Sequence, residues 1–248
     1  MILRDDLARL CAQWMAVDQI QDYCPNGLQV EGKAEIHKLA TSVTASVAAI
    51  EAAIEWGADA LLVHHGYFWH NEPASIVGAK AARIRRLMQS DMNLFAYHLP
   101  LDMHAEFGNN AELAKLWNLL DDGSDAKRVW RTGSLDFTLP IEGFVERIRR
   151  TLRREPLVIA AGPAQVKRVA WCSGGAQGYF AQAIEQGIDA FITGEVSEQC
   201  YHQALEAGVH FIAAGHHATE RYGVQALAEK LVQSHGLQHR YIELANPI

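Results

Sequence analysis

Three short segments of this chain place imidazole and carboxylate side chains at spacings suited to divalent metal ions. The first is Leu61-Leu62-Val63-His64-His65-Gly66, in which two adjacent histidines end an apolar run. Successive residues of a strand point to opposite faces, so joint ligation by His64 and His65 requires the chain to be leaving the strand, a departure that Gly66 permits. A structural role for one of the two histidines is the alternative.

The second segment is His98-Leu99-Pro100-Leu101-Asp102-Met103-His104. Pro100 removes a backbone donor and predicts an extended turn, from which Asp102 reaches back over a strand end as a hard oxygen donor. Asp102 stands too far before the helix expected near Asn109 to cap it. His98 and His104 read as orienting or surface residues. In the third segment, Gly215-His216-His217-Ala218-Thr219-Glu220-Arg221, His216 and Glu220 stand at i and i+4. They share one helical face and can chelate one ion or two neighbouring ions, while His217 points elsewhere. The alternative for Glu220, in a first helical turn, is compensation of the helix dipole.

Together the segments supply three imidazoles and two carboxylates: His64, His65, Asp102, His216 and Glu220. That set exceeds a closed tetrahedral zinc site and suits two ions with open positions, with a mononuclear site using three of the five as the alternative. Mixed nitrogen and oxygen donors suit Zn, Fe, Mn and Ni alike. Glu195 is a candidate base or substrate contact, with helix capping or surface placement as its other reading. Tyr67, Phe68 and Trp69 offer either ring stacking or plain packing.

The elements that must position these residues follow from hydrophobic period. Apolar runs of strand length alternate with amphipathic stretches, which predicts an α/β protein with largely parallel or mixed sheets. Strands are expected at Leu39–Val43, Ala60–Val63, Leu94–Tyr97, Val166–Cys172, Ala190–Thr193, His210–Ala213 and His239–Leu244. Helices are expected at Val47–Trp56, Lys80–Ser90, Asn110–Leu119, Gln177–Gln186, Ser197–Ala207 and His217–Ser234. Each candidate ligand segment then lies at the carboxyl end of a strand, where open α/β sheets place their ligand crevices.

The stretch Ala53-Ile54-Glu55-Trp56-Gly57-Ala58-Asp59-Ala60-Leu61-Leu62-Val63 resembles Ala183-Ile184-Glu185-Gln186-Gly187-Ile188-Asp189-Ala190-Phe191-Ile192-Thr193, which points to an internal duplication. In that duplication Glu195 takes the position of His65. Two linked, related α/β lobes with mixed sheets are therefore expected. The first, residues 1–120, carries His64, His65 and Asp102, and the second, residues 166–248, carries His216 and Glu220. Residues 121–165 form a connecting region with its own strand, Asp136–Leu139, and helix, Ile141–Leu152.

Composition sets bounds on function. The chain has 248 residues, 49% hydrophobic and 21% charged, so it can bury a sizeable core. A net charge of −7 repels a phosphate backbone, and neither Arg83, Arg85 and Arg86 nor Arg147, Arg149, Arg150, Arg153 and Arg154 forms a basic stripe, so nucleic acid is not an expected partner. No apolar run reaches the ~20 residues of a membrane span, and Asp5 and Asp6 interrupt the place of a signal peptide's apolar core. Cys11, Cys24, Cys172 and Cys200 are scattered, which suits reduced thiols in the cytoplasm.

The segments Tyr23-Cys24-Pro25-Asn26-Gly27-Leu28-Gln29-Val30-Glu31-Gly32, His64-His65-Gly66, Leu99-Pro100-Leu101-Asp102, Gly108-Asn109-Asn110 and Gly215-His216-His217-Ala218-Thr219-Glu220-Arg221 together resemble the Nif-three-like family, in particular its bacterial YbgI branch. The resemblance spans nearly the whole chain. It implies two linked α/β lobes, a dinuclear metal centre and a toroidal homohexamer with its sites facing an internal cavity. Carried over by motif, the implied ligands are again His64, His65, Asp102, His216 and Glu220, holding two divalent ions per chain. The family commonly bears the name GTP cyclohydrolase 1 type 2 homologue. A metal-dependent hydrolase of a small, nucleotide-like molecule is one expected function, and a non-catalytic protein that binds, stores or delivers metal is the other.

Overall fold

The structure is a computed structural model that describes residues 1–123 and 128–248. The chain divides into two compact units, residues 1–101 with 223–245, and residues 102–222 with 246–248. Each has an α/β fold with a mixed sheet of its own, as the sequence implies.

In the first unit a five-stranded sheet runs in the order Gln238–Tyr241, Lys38–Thr44, Ala60–His65, Asn93–Ala96, Gly27–Val30. The first four strands are parallel and Gly27–Val30 is antiparallel to its neighbour. Ala40, Leu61, Val63, Leu94 and Ala96 pack from one face of this sheet onto Ile50, Ala53, Ile84 and Leu87 of the helices Val47–Trp56 and Gly78–Gln89. Burial on the far face as well explains why these strands read as continuous apolar runs.

In the second unit a six-stranded sheet runs in the order Leu119–Asp121, Arg131–Pro140, Gln165–Trp171, Ala190–Thr193, His210–Ala213, Leu157–Ile159. Its centre is parallel and its flanks antiparallel. Alternate residues serve two cores. Val169, Trp171 and Ile192 pack with Trp117, Phe144 and Ile148, whereas Ala170, Phe191 and Phe211 pack with Phe180, Cys200 and Ala204.

The duplication read from the sequence is present in the hydrogen bonding. Asp59 Oδ2 accepts the backbone N–H groups of His37 and Lys38, at 2.9 Å each. Asp189 Oδ2 accepts those of Lys167 and Arg168, at 2.8 Å each. Both aspartates precede the middle parallel strand and tie down the start of the strand beside it. Gly57 and Gly187 precede them with φ of 75° and 67°, a left-handed conformation open to glycine at little steric cost.

The boundaries differ from the expected lobes at 1–120, 121–165 and 166–248. Apart from residues 124–127, which lie outside the described residues, the connecting region contributes Arg131–Pro140, Ile141–Leu152 and Leu157–Ile159 to the second unit's sheet and core. The last strand, Gln238–Tyr241, pairs with Lys38–Thr44 of the first unit instead of joining the second. Strand pairing between segments distant in sequence decides both assignments, and hydrophobic period does not report it. Two helices also differ. Gln177–Gln186 is a 3₁₀ turn, Gln177–Tyr179, followed by Phe180–Ile184, and the helix expected at His217–Ser234 is broken into His216–Thr219 and Arg221–His235.

Candidate metal centre

In the first unit the strand Ala60–His65 runs on through both histidines, and Thr44 still pairs with His65. The chain does not leave the strand before them, contrary to the expectation. At the strand's last two positions the two imidazole rings nevertheless lie close together, with centroids 4.7 Å apart. His64 is fully buried and its Nδ1 lies 2.9 Å from the carbonyl oxygen of Tyr97. A carbonyl only accepts, so Nδ1 carries the proton and Nε2 the lone pair that can face a cation. His65 Nδ1 meets the Thr44 hydroxyl at 3.2 Å.

His98 joins this pair, with its ring centroid 5.0 Å from that of His64 and 5.8 Å from that of His65. Its Nδ1 lies 2.7 Å from Asp22 Oδ1, the carboxylate–histidine arrangement that commonly orients metal ligands. Burial alone would raise the Asp22 pKa, but the hydrogen bond and charge of His98, with the Asn26 amide and the Tyr23 N–H, hold the carboxyl below its ordinary range. The sequence reading placed His98 in an orienting or surface role and did not single out Asp22. The available signal was the segment Asp22–Gly27, whose Asp22 and Asn26 both bond the His98–Leu99 backbone.

In the second unit Asp102 lies on a short helix, Leu99–Met103, and not on an extended turn. Pro100 is compatible with that helix because the first turn has no intrahelical use for its N–H. Asp102 is 5% exposed, and its Oδ1 accepts from Asn109 Nδ2 at 2.9 Å and from Ser173 Oγ at 2.7 Å. His216 and Glu220 do not share one continuous helix. Glu220 sits at the break after His216–Thr219, with φ −110° and ψ 7°. Its Oε1 is nevertheless 3.2 Å from His216 Nε2.

Glu195 Oε1 lies 2.6 Å from His216 Nδ1, and Glu195 Oε2 accepts from Gln177 Nε2 at 3.2 Å. The glutamate therefore orients His216. Burial pulls the His216 pKa down, but the hydrogen bonds and charges of Glu220 and Glu195 override it and raise the imidazole to about 9.

Carboxylate oxygens of Asp102 and Glu220 come within 4.8 Å of each other, and Glu220 is only 2% exposed. Two buried like charges this close favour a bound cation. The donors found in the two units, imidazole nitrogens with oriented rings and buried carboxylates, fit a borderline divalent metal.

Other residues fall outside the donor groups. The His104 ring stacks on Phe107 at 3.4 Å and its Nδ1 accepts from the Glu106 and Phe107 N–H groups. Tyr67 is structural, donating to the Ala45 carbonyl at 2.6 Å, and Phe68 lies beneath Lys80. Trp69 meets the His98 ring edge to face at 5.0 Å. All four cysteines are free thiols, and no helix among the described residues is long and apolar enough to cross a membrane.

Comparison with known proteins adds the family. The model of the Duf34/NIF3 (NGG1p interacting factor 3) family matches residues 2–247. A Haemophilus influenzae protein named GTP cyclohydrolase 1 type 2 homolog is 50% identical over 248 residues, covering 98% of each chain. Among solved structures, the structural-genomics protein ybgI, of unknown function, superposes with a TM-score of 0.97 at 46% identity over 100% of both chains. The protein TTHA1606 from Thermus thermophilus gives 0.91 at 35% identity, again over 100% of both.

Proposed function

This chain belongs to the Duf34/NIF3 family, and from that premise we propose that His64, His65, Asp102, His216 and Glu220 hold up to two divalent metal ions per chain for a hydrolytic reaction on a small, nucleotide-like molecule. The observation that carries this reading is the orientation of the histidines. His64 is fixed through Nδ1 by a backbone carbonyl and His216 by a carboxylate, so that each presents Nε2.

When bound, the ions would supply Lewis acidity, activating a water and polarising the bond attacked. The chain's own residues hold the ligands and manage protons. Glu195 keeps His216 in one ring orientation, and the buried Asp102 and Glu220 carboxylates supply negative charge that favours a cation over a neutral ligand. Ser173 and Asn109 both donate to Oδ1 of Asp102 and so hold the carboxylate in one orientation.

The proposal includes a cytoplasmic location, in keeping with four free thiols, and a homohexameric assembly, taken from the family resemblance. The relatives' name, GTP cyclohydrolase 1 type 2 homolog, makes GTP the first substrate to try. The test is a turnover screen of the metal-reconstituted protein with GTP, other nucleotides and simple phosphoesters. Turnover that disappears in a folded Glu220→Ala variant is the expected result. Tight metal binding without turnover on any of them would favour metal storage or delivery.

A further inference from the structure

We propose that Arg154 and the segment Asn246–Ile248 form a strap that sets the position of the turn carrying His216 and Glu220, with Arg154 as its positioning residue. This rests on the metal-binding reading above and gives a role to one arginine of the cluster Arg147, Arg149, Arg150, Arg153 and Arg154. All of these residues belong to the second unit.

The turn needs support from outside. His216–Thr219 is four residues long, follows Gly215, and has no side-chain cap. A helix this short leaves its first N–H groups without acceptors of its own and does not hold its shape alone. The His217 N–H donates to the Ile248 carbonyl at 3.1 Å. Asn246 Oδ1 accepts the Ile248 N–H at 2.9 Å and so fixes the bend that presents this carbonyl.

Arg154 ties the strap to the core. Phe144, Ile148 and Leu152 anchor the helix Ile141–Leu152, and the Arg154 N–H closes its end on the Arg149 carbonyl at 3.2 Å. From that base Arg154 Nη1 donates to the Pro247 carbonyl. The same side chain lies against Gly215, where a Cβ would fall 2.6 Å from its Nε and 2.7 Å from its Cδ. One guanidinium thus touches both the residue before His216 and the residue before Ile248. The far end of the turn is held by the same helix, because Arg221 Nη2 donates to the Leu152 carbonyl at 2.7 Å and the Tyr222 hydroxyl to that of Thr151 at 3.1 Å.

Glu195 orients the His216 ring, and the strap sets the backbone that carries it. Productive geometry at a metal site is held to about 0.5 Å, so backbone placement enters metal affinity. Asn246, Pro247 and Ile248 are all exposed and bury little apolar surface. Their bonds therefore act on the turn more than on the stability of the core.

The test uses Co2+ as the probe on the full-length, metal-stripped chain. It reads Co2+ affinity, the visible ligand-field spectrum and, without metal, amide hydrogen exchange at His217. Arg154→Ala and, separately, removal of residues 246–248 are each expected to weaken Co2+ binding about tenfold and to speed His217 exchange about tenfold. The Co2+ spectrum is expected to change in both. Combining the two changes is expected to weaken binding little more than either alone, because they break one chain of bonds.

Folded variants with wild-type Co2+ affinity overturn this inference and leave the function proposed above standing. Losses that add fully in the combined variant overturn it as well. Unfolding of both variants would show that the strap holds the fold and not the ligands, and overturns it too. A wild-type chain that binds no Co2+ overturns both readings.

Discussion

The two units build one scaffold twice and finish it with opposite chemistry. In each, an aspartate before the middle parallel strand gathers two backbone N–H groups of the neighbouring strand, Asp59 in the first and Asp189 in the second. At the far end of the middle strand the first unit places His64 and His65, where the second places Gly194 and Glu195. The first unit uses the position for an imidazole donor. The second keeps it open, because a Cβ at Gly194 would fall 2.5 Å from His216 Cα and 2.6 Å from the Gly174 carbonyl oxygen. Here the imidazole comes one strand later, from His216 on the His216–Thr219 helix packed against that glycine. Shared interior hydrogen bonding thus fixes the fold, while residues at the strand ends are free to diverge in chemistry.

The comparison breaks most visibly at Gly194. Gly194→Ala is expected to lower the stability of the chain by about 3 kcal/mol, since the clash is with backbone and cannot be relieved by a side-chain rotation. Urea unfolding measures it, and an unchanged midpoint would show that close approach is not what the second unit requires there.

A smaller effect tests the shared scaffold. Asp59→Ala and Asp189→Ala each strand two backbone donors, and each is expected to cost about 2 kcal/mol. Chemical denaturation of both should give losses that agree within about 1 kcal/mol. A loss at only one would argue that the resemblance is superficial. Asp59 also sharpens the test through pH. Burial would raise its pKa, but the Lys33 ammonium and the Lys38 and His37 N–H groups hold it below the ordinary value. Its contribution to stability is therefore complete above about pH 4 and lost as pH falls through the lowered folded value. Acid titration of Asp59→Asn should lack that part of the wild-type decline.

A third test concerns the imidazoles. His216 without metal titrates at about 9, raised by Glu220 and Glu195 against the opposing effect of burial. A raised histidine pKa stabilises the metal-free fold fully below about pH 6.5, the ordinary value, and that stabilisation fades as pH rises through 9. Metal must displace this proton. Affinity at the His216 position is therefore expected to rise about tenfold per unit from pH 7 towards 9, with one proton released per ion bound. Calorimetry in buffers of differing ionisation enthalpy counts that proton, and a pH-independent affinity would mean that metal does not meet His216.

Much of this was legible in the sequence. Buried parallel strands are apolar runs by necessity, so Ala60, Ala190 and His210 open strands where the sequence reading put them. The repeated Gly, Asp and Ala steps announced the duplication because both glycines need a left-handed backbone and both aspartates need a role. What stayed hidden is what depends on pairing through space. Asp22 and His98 are distant in sequence and meet only because Gly27–Val30 pairs with Asn93–Ala96. The break at Glu220 is equally silent in the helical period. The Thr219 hydroxyl, turned back to the Gly215 and His216 carbonyls while accepting the Gly174 N–H, accompanies it.

The central claim is that the five residues hold metal and do not hold the fold. Elemental analysis of the reconstituted wild type beside His64→Ala and Glu220→Ala, each checked by thermal unfolding, tests it directly. Up to two divalent ions per chain are expected in the wild type, with occupancy collapsing in both variants while unfolding stays cooperative. A wild-type chain that takes up no metal, or variants that unfold while keeping it, would contradict the account.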